Sequence, residues 1–380
     1  EATGFTLVET ETDSGIFVGS FQVPTNFCHS GSDSIVTVTG TDIEVNYQDF
    51  RNSSGESIEV GDGASINANT GSVAFDRTVY PVPYGETVTG ANFLTHATDD
   101  ATAAIPQGDV VVHVRVTDAD YNVSAQGEDK ISDANVTLQI ERGSNVQFLA
   151  TYGNTTAVAA NAITEVSPDS GVFEADVTVA YNVGPENGCP SVFANGGCIL
   201  QGDIITVEYT DNYDASGKQQ TVTDSATFDL RNGVLQSDKS VYLIGSDMIL
   251  TLIEPDFDLD NDGANSVTLD LIEWDSDADT TTIADEEAAF DPEPSDLRET
   301  GDSTGIFQVV IEIPAALNGE NLDRGEKIDL EYTDWGPAGA DYVGQEDEDI
   351  GLTVYTSNFG ATIELDQKVY TWTDKVYITI

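Results

Sequence analysis

Basic residues are scarce in this chain, and their scarcity removes whole classes of partner. Its 380 residues include 13 lysines and arginines against 68 aspartates and glutamates, so the formal net charge at pH 7 is −55. Contacts with phosphate backbones need a basic face, so the composition excludes nucleic acid as a partner. Anionic lipid surfaces, which attract basic segments, are disfavoured for the same reason.

Catalytic residue types and long apolar segments are also scarce. There are three histidines, and the chain contains no Gly-x-Ser-x-Gly, no His-Glu-x-x-His and no phosphate-binding glycine loop. Pairs of carboxylates arise by chance among 68 acids and identify no glycosidase site. His113 lies in an alternating strand, on the face opposite its valines, and is interpreted as an ordinary sheet residue. We therefore expect no enzyme activity.

No membrane span is predicted in this segment, because the chain has no run of 18 apolar residues. It has only three cysteines. Cys189 and Cys198 enclose a short loop, which favours a disulfide in an oxidising compartment; a zinc site is the competing interpretation, although no histidine is near. Cys28 is either free or paired with a cysteine beyond these residues.

Four Asn-x-Ser/Thr sequences fit a glycosylated extracellular protein, although such tripeptides also arise by chance in a Thr/Ser-rich chain. The candidate asparagines are Asn52, Asn122, Asn135 and Asn154.

Charge of one sign on this scale destabilises a compact fold unless cations neutralise it. We therefore expect the protein to work in water rich in salt or divalent cations. The alternative is general surface acidity of the kind seen in halophiles, without specific ion sites.

Three motifs recur in the same order along the chain, which is typical of tandem repeats. The first is a glutamate, five residues, then Gly-x-Phe, at 9–17, 165–173 and 299–307. The second is an alternating strand that ends in Tyr-x-Asp, at 42–49, 203–211 and 326–334. The third is Val-Tyr, at 79–80, 241–242 and 369–370.

The repeats divide the chain into four parts. We predict the C-terminal part of one domain (1–70), a domain with inserted loops (71–232), a further domain (233–358) and the first strands of another (359–380). About seven short strands separated by turns in each unit predict an all-β fold of tandem immunoglobulin-like β-sandwich domains. An up-and-down barrel fits less well, because the motifs restart at each Val-Tyr.

An acidic run after one strand suggests calcium binding. Residues 256–263 place four aspartates at alternate positions before a glycine, and hard cations prefer six to eight oxygens at about 2.3–2.6 Å. The run resembles the start of an EF-hand loop, but the twelfth position is Leu269 and flanking helices are not predicted. We therefore predict a Ca²⁺ or other divalent-cation site without an EF-hand.

The corresponding unit carries a similar strand end at 118–122. Residues 109–122 align without gaps on 247–260, an offset of 138. In a sandwich, the ends of the second and sixth strands and the glutamate turn meet at one pole of the unit. The alternative is a set of solvated loop acids. The predicted metal ligands are Asp118, Asp120, Asn122, Glu165 and Asp211 in one unit, and Asp256, Asp258, Asp260, Asp262, Glu299 and Asp334 in the other.

These motifs resemble those of the surface-layer (S-layer) proteins of ammonia-oxidising (thaumarchaeal) archaea. The resemblance rests on the Gly-Ile-Phe turn after Glu11 and its copies, the Asp-x-Asp strand end, and Tyr-Thr-Asp at Tyr209 and Tyr332. It covers essentially the whole chain. It implies tandem immunoglobulin-like domains, self-assembly into a porous extracellular lattice, and dependence on divalent cations.

Two functional hypotheses follow. The first is a cell-surface protein that assembles with copies of itself into a lattice, whose anionic pores attract cations such as ammonium or metal ions. The second is the calcium-stiffened stalk of an extracellular adhesin.

Overall fold

The computed structural model describes residues 6–24, 26–28, 35–83, 109–124, 126–131, 135–151, 163–179, 199–343, 345–357 and 364–380. Within them the chain is nearly all β, with one four-residue helix, α1 (Glu287–Phe290), and short 3₁₀ turns. The 3₁₀ turns that matter below are Ala119–Tyr121 and Pro255–Phe257. In this part of the chain, no helix has the length and hydropathy needed to cross a bilayer.

The N-terminal region forms three antiparallel strand pairs, β1 with β2, β3 with β4 and β5 with β6. The alternating strand β5 leaves Val45 and Tyr47 exposed, at 43% and 62%. The strands are β1 Val8–Glu9, β2 Phe17–Val18, β3 Asn26–Cys28, β4 Ile35–Thr37, β5 Thr41–Asp49 and β6 Ile58–Ile66.

The next ten strands form two five-stranded sheets, and we call them unit two. The sheet orders are β7-β9-β14-β13-β10 and β8-β16-β15-β11-β12. The strands are β7 Ser72–Phe75, β8 Val79–Pro81, β9 Val110–Thr117, β10 Lys130–Ile131, β11 Val136–Arg142, β12 Asn145–Thr151, β13 Ile163–Glu165, β14 Val172–Val179, β15 Ile204–Asp211 and β16 Gln220–Asp229.

Unit three repeats this arrangement, with sheet orders β17-β19-β24-β23-β20 and β18-β28-β27-β21-β22. Its strands are β17 Val234–Ser237, β18 Val241–Tyr242, β19 Asp247–Ile253, β20 Ser266–Val267, β21 Ile272–Asp275, β22 Thr280–Thr282, β23 Glu293–Glu299, β24 Ile306–Glu312, β25 Ala316–Leu317, β26 Glu320–Asn321, β27 Lys327–Asp334 and β28 Glu348–Thr356. A last pair follows, β29 Glu364–Leu365 and β30 Ile378–Thr379.

Both units have the strand order of an immunoglobulin-like sandwich. In unit two, one sheet is A (β7), B (β9), E (β14) and D (β13), with β10 beyond D, and the other is A′ (β8), G (β16), F (β15), C (β11) and C′ (β12). The corresponding strands of unit three are β17, β19, β24, β23 and β20 in one sheet and β18, β28, β27, β21 and β22 in the other. Strand A′ runs parallel to strand G in both, as β8 with β16 and β18 with β28. The predicted fold class, all-β with tandem immunoglobulin-like sandwiches, is confirmed.

Apolar side chains at alternate positions build each core between the two sheets. In β9 the four valines at alternate positions are fully buried, whereas His113 and Arg115 point away from the core. In unit three, the buried Trp274 packs edge-on against Phe290, with 5.0 Å between ring centroids. This period-2 pattern is what a sheet with one buried face requires.

Strand pairing shows which residues of β9 and β19 correspond to each other, and this correspondence differs by two residues from the gap-free sequence alignment. Thr117 pairs with Val172, and Ile253 pairs with Ile306 at the same point of unit three. Equivalent residues are therefore 136 apart, not 138, so Asp118 corresponds to Glu254 and Asp120 to Asp256. A slip of two leaves every apolar residue on the same face, so alternation could not detect it.

Candidate functional site

The glutamate of the first motif accepts hydrogen bonds from the turn that follows it, and this explains the fixed spacing of the motif. The Oε1 atom of Glu299 accepts hydrogen bonds from the backbone N–H of Thr304 (2.5 Å) and of Gly305 (2.8 Å). Its Oε2 atom accepts from the N–H of Asn265 at 3.0 Å. The glutamate therefore ties strand D to strand E and to the preceding loop.

Glu165 makes the same set of bonds in unit two. Its Oε1 accepts from Ser170 and Gly171, both at 2.8 Å, and its Oε2 accepts from Asp129 at 3.0 Å. The bond from Asp129, followed by those from the turn, holds the pKa of Glu165 below its ordinary value. In the N-terminal region Glu9 accepts one such bond, from Gly15 at 2.8 Å.

The glycine of this turn has a backbone conformation that other residues avoid. Gly15, Gly171 and Gly305 have φ of 64°, 63° and 58°. A Cβ at Gly305 would lie 2.8 Å from the Cα of Pro255. The Glu-x₅-Gly motif is thus explained by turn geometry, and the hydrogen bonds occupy both oxygens of the two buried glutamates that were predicted as metal ligands.

At the pole of unit two, a tyrosine and two aspartates are buried together. The Tyr209 hydroxyl donates to Oδ2 of Asp118, and Oδ1 of Asp118 accepts from the N–H of Asp120 at 2.8 Å. Asp211 accepts from the N–H groups of Gly71 and Tyr213, both at 2.8 Å. Burial, opposed by the Tyr209 hydroxyl and reinforced by the charge of Asp211, raises the pKa of Asp118.

Unit three has three buried acids at the same pole. Tyr332 donates to Oε2 of Glu254 at 2.8 Å, and Asp334 accepts from Gly233 and Gly336, both at 2.8 Å. Asp256 accepts from the N–H of Arg231 at 2.8 Å. Each of the three carboxylates is at most 4% exposed.

Burial shifts the protonation of these acids strongly. Desolvation, reinforced by the charges of Asp256 and Asp334, holds the pKa of Glu254 well above its ordinary value. Desolvation also raises the pKa of Asp256 to about 7, although Arg231 opposes that shift. Burial raises the pKa of Asp334 as well.

A glycine faces each tyrosine because the backbone passes directly over the ring. A Cβ at Gly233 would lie 2.5 Å from Oε2 of Glu254 and 2.8 Å from the Tyr332 ring. At Gly71 it would lie 2.5 Å from the Tyr209 ring. The pole is therefore a close-packed hydrogen-bonded cluster.

The predicted ligands separate into different environments. Asp120 is exposed and binds the backbone N–H and the side-chain amide of Asn69, at 2.9 and 3.0 Å. The Asn122 amide donates to Asp169 at 3.0 Å. In the described ranges, just one group brings three side-chain donors of the metal-ligand type within 4.8 Å of one another: His113, Asp260 and Asp262.

That group lies where unit three contacts unit two. Residues 258–263, which we call the junction loop, lie against strand β9 of unit two and against Asp76 and Arg77, which follow strand β7. Arg77 donates to the backbone oxygen of Asp258 at 2.7 Å and to its Oδ1 at 2.8 Å. The N–H of Val111 donates to the oxygen of Leu259 at 2.9 Å, and the amide of Asn261 donates to Asp76.

The imidazole of His113 lies among carboxylates from both units. Its Nδ1 is 2.7 Å from Oδ1 of Asp176 and 3.8 Å from Oδ2 of Asp262, and its Nε2 is 3.2 Å from Oδ1 of Asp260. Burial lowers the pKa of His113, but the bond to Asp176 and the charges of Asp76 and Asp262 outweigh it, so the pKa is raised. A cavity of about 420 Å³ adjoins the ring.

Sequence reasoning missed this junction. It placed His113 correctly on the face opposite the valines but gave it no role, and it did not single out Arg77 or Asp76. The contacts join residues 147 to 185 positions apart, and nothing in the local pattern of either segment marks its partner.

The remaining predicted sites are only partly within the described residues. The amide nitrogen of Asn122, to which a glycan would attach, donates to Asp169, and that of Asn135 donates to the Tyr121 hydroxyl. The Oδ1 of Asn52 accepts from Ser54 and Glu56, both at 2.9 Å. Cys189, Cys198 and Asn154 lie outside the described residues.

Comparisons with known proteins find no matching family model and no matching curated protein. Among solved structures, the adhesin FdeC of Escherichia coli overlaps 80% of this chain and 69% of its own, with 11% identity and a TM-score of 0.21. The Yersinia pseudotuberculosis adhesin InvE overlaps 79% and 67%, with 12% identity and a TM-score of 0.21.

The surface-layer protein SbsC, domains 1–6, overlaps 87% of this chain and 47% of its own, with 10% identity and a TM-score of 0.17. At these scores and identities, the overlaps define neither the arrangement of the units nor a function.

Proposed function

We propose that this chain is a structural protein of the cell surface that assembles with copies of itself into an extracellular S-layer lattice. The observation that carries the proposal is the junction between units two and three. There, Arg77 and the backbone of Val111 bind the junction loop directly. Consecutive sandwiches joined by such bonds form a continuous β framework, which suits a load-bearing shell.

The charge supports the same function. A net charge of −55 on 380 residues creates a strong negative potential around the protein. Pores lined by this surface would concentrate small cations such as ammonium or metal ions and exclude anions. Divalent cations would reduce the repulsion between neighbouring copies, so assembly is proposed to depend on Ca²⁺ or a similar ion.

The proposal assigns no catalytic role to the buried acids. The hydrogen bonds of Glu165, Glu299, Asp211 and Asp334 with backbone N–H groups support a structural role for these residues. The exposed acids and the junction loop are the proposed places for cation binding.

Negative-stain imaging of the purified full chain tests this function. With Ca²⁺ present we expect sheets of regular spacing, and a chelator should disperse them. Sodium chloride added to the same ionic strength in place of calcium is the control for ionic strength. Assembly that is unchanged by the chelator would remove the proposed role of divalent cations.

The second candidate is the calcium-stiffened stalk of an adhesin, which the same end-to-end junction also favours. In that case the images should show isolated rods that never order into sheets.

A further inference from the structure

We propose that His113, Asp260 and Asp262 form a transition-metal site of the Zn²⁺ type that links unit two to unit three. The inference does not depend on lattice assembly, because it concerns two units of one chain. It shares Asp260 and Asp262 with the calcium prediction and differs from it in the imidazole ligand, since imidazole suits zinc-like ions and calcium takes oxygen ligands.

The hydrogen-bonding groups around the ring leave Nε2 of His113 facing a carboxylate. Nδ1 of His113 lies 2.7 Å from Asp176, so it carries a proton and donates it to that carboxylate. In the neutral ring, Nε2 is then an acceptor, and it faces the carboxylate of Asp260 at 3.2 Å. Two acceptors at this distance repel each other unless a second proton on the ring or a metal ion lies between them, and of the two a divalent ion adds more positive charge among these carboxylates.

The spacing of the donor atoms is close to that of a zinc site. In a tetrahedral zinc site with bonds of about 2.0–2.1 Å, neighbouring donors lie about 3.3 Å apart. The separation of Nε2 and Oδ1 of Asp260 is 3.2 Å, and the three donor atoms all lie within 4.8 Å of one another. The third donor, Asp262, has its Oδ2 3.8 Å from Nδ1, so its exposed side chain must turn toward Nε2 to complete the set.

Neighbouring residues fix the orientation of two of the proposed ligands. Asp176 orients the imidazole from behind, which is the carboxylate–histidine arrangement common at zinc sites. The backbone N–H of Asp262 donates to Oδ1 of Asp260 at 2.9 Å and fixes the orientation of that carboxylate. The site also adjoins the cavity of about 420 Å³, which leaves room for a water ligand.

The carboxylates around His113 carry more negative charge than the nearby basic groups balance. Arg115, which also lines the cavity, pairs with Glu174 at 2.5 Å. Arg77 binds Asp258. The carboxylates of Asp176, Asp260 and Asp262 therefore share a single imidazole. A divalent ion would offset this charge and tie the junction loop to β9.

The test is titration of the full chain with Zn²⁺ in excess Ca²⁺, which saturates sites for hard cations. We expect saturable Zn²⁺ binding that weakens about tenfold or more in His113→Gln and in Asp260→Asn. Zn²⁺ should also slow hydrogen exchange of the junction loop in the unmodified chain but not in His113→Gln. Co²⁺ in place of Zn²⁺ should give visible absorption that is lost with His113.

Matched controls make the result specific. His29→Gln makes the same change at another histidine, and Asp302→Asn removes an exposed acid of unit three; both should bind Zn²⁺ as the unmodified chain does. Identical isotherms for the unmodified chain and His113→Gln would overturn the inference, and so would complete suppression of Zn²⁺ binding by Ca²⁺. Zinc binding that depends on His113 in a chain that forms no lattice would refute the proposed function and leave the metal site intact.

Discussion

The poles of units two and three share one design but differ in how deeply they bury acid. In unit two, Asp120 is exposed and bonds to the neutral Asn69. In unit three, the equivalent Asp256 is 4% exposed and bonds to Arg231, which occupies the position of Asn69. An acid can therefore be buried at this pole when the linker before the unit places a basic side chain beside it.

The largest expected difference is in the response to pH. Asp256 has a folded-state pKa of about 7, above its ordinary value of 3.8, so the folded state holds the proton more tightly. The resulting stability is fully present below pH 4 and is lost as the pH rises from about 4 to about 7. The loss is on the order of 4 kcal/mol for unit three.

Tryptophan fluorescence during urea unfolding measures this effect, because Trp274 and Trp335 both lie in unit three and unit two has no tryptophan. Asp256→Asn removes the contribution of Asp256 and should reduce the pH dependence, and the part that remains comes from Glu254 and Asp334, whose pKa values are also raised. An equally steep dependence in that variant would show that another group is responsible. Asp120→Asn, the matched change in unit two, should have little effect on the stability of that unit, followed by hydrogen exchange because unit two has no tryptophan.

A smaller effect is expected from the glutamate that holds the turn. Glu299→Ala removes the acceptor for three backbone N–H groups and should destabilise unit three by about 3 kcal/mol. Glu165→Ala should do the same in unit two, because the bonds are equivalent. Hydrogen exchange, resolved by unit, measures both changes.

The exposed copy of the turn is the control. Glu9→Ala removes one bond at the surface, so its cost should be below about 1 kcal/mol. A cost as large as that of Glu299→Ala would mean that burial is not what gives the turn its strength.

The effect expected at the buried tyrosines is smaller than that of Glu299→Ala. Tyr332→Phe removes the hydroxyl that donates to Glu254 and should cost about 2 kcal/mol. Tyr209→Phe should cost about 1 kcal/mol, because the pKa shift of Asp118 indicates weaker desolvation than that of Glu254. Unfolding followed by fluorescence for unit three, and by hydrogen exchange for unit two, measures the pair. Equal costs would remove the proposed difference between the poles.

Local patterns were enough to predict the sheets. Alternation of apolar and polar residues identified strands such as β9, β15 and β27, and the order of the three motifs indicated repeated sandwiches. The meeting of the second and sixth strand ends at one pole also followed from sandwich topology, and Asp118 and Asp211 do lie near each other there.

The roles of the acids could not be predicted in the same way. A sequence does not distinguish a carboxylate that binds backbone N–H groups from one that binds a cation, so Glu165 and Glu299 were predicted as metal ligands, with solvated loop acids as the alternative. The two-residue shift that makes Glu254 the partner of Tyr332 preserves every alternating face. The contacts of Arg77 and His113 with the junction loop depend on how two folded units meet, which no local period encodes.

The parallel pairing of strand A′ with strand G has a mechanical consequence. Strand A′ lies near the start of each unit and strand G at its end, and in unit three Val241 pairs with Tyr355 and Tyr242 with Thr356. A pull applied to the two ends of a unit draws these neighbours past each other along their length. The hydrogen bonds between the two strands are then loaded together in shear and do not open one at a time. We therefore expect each sandwich to resist stretching at the pairing of strands A′ and G.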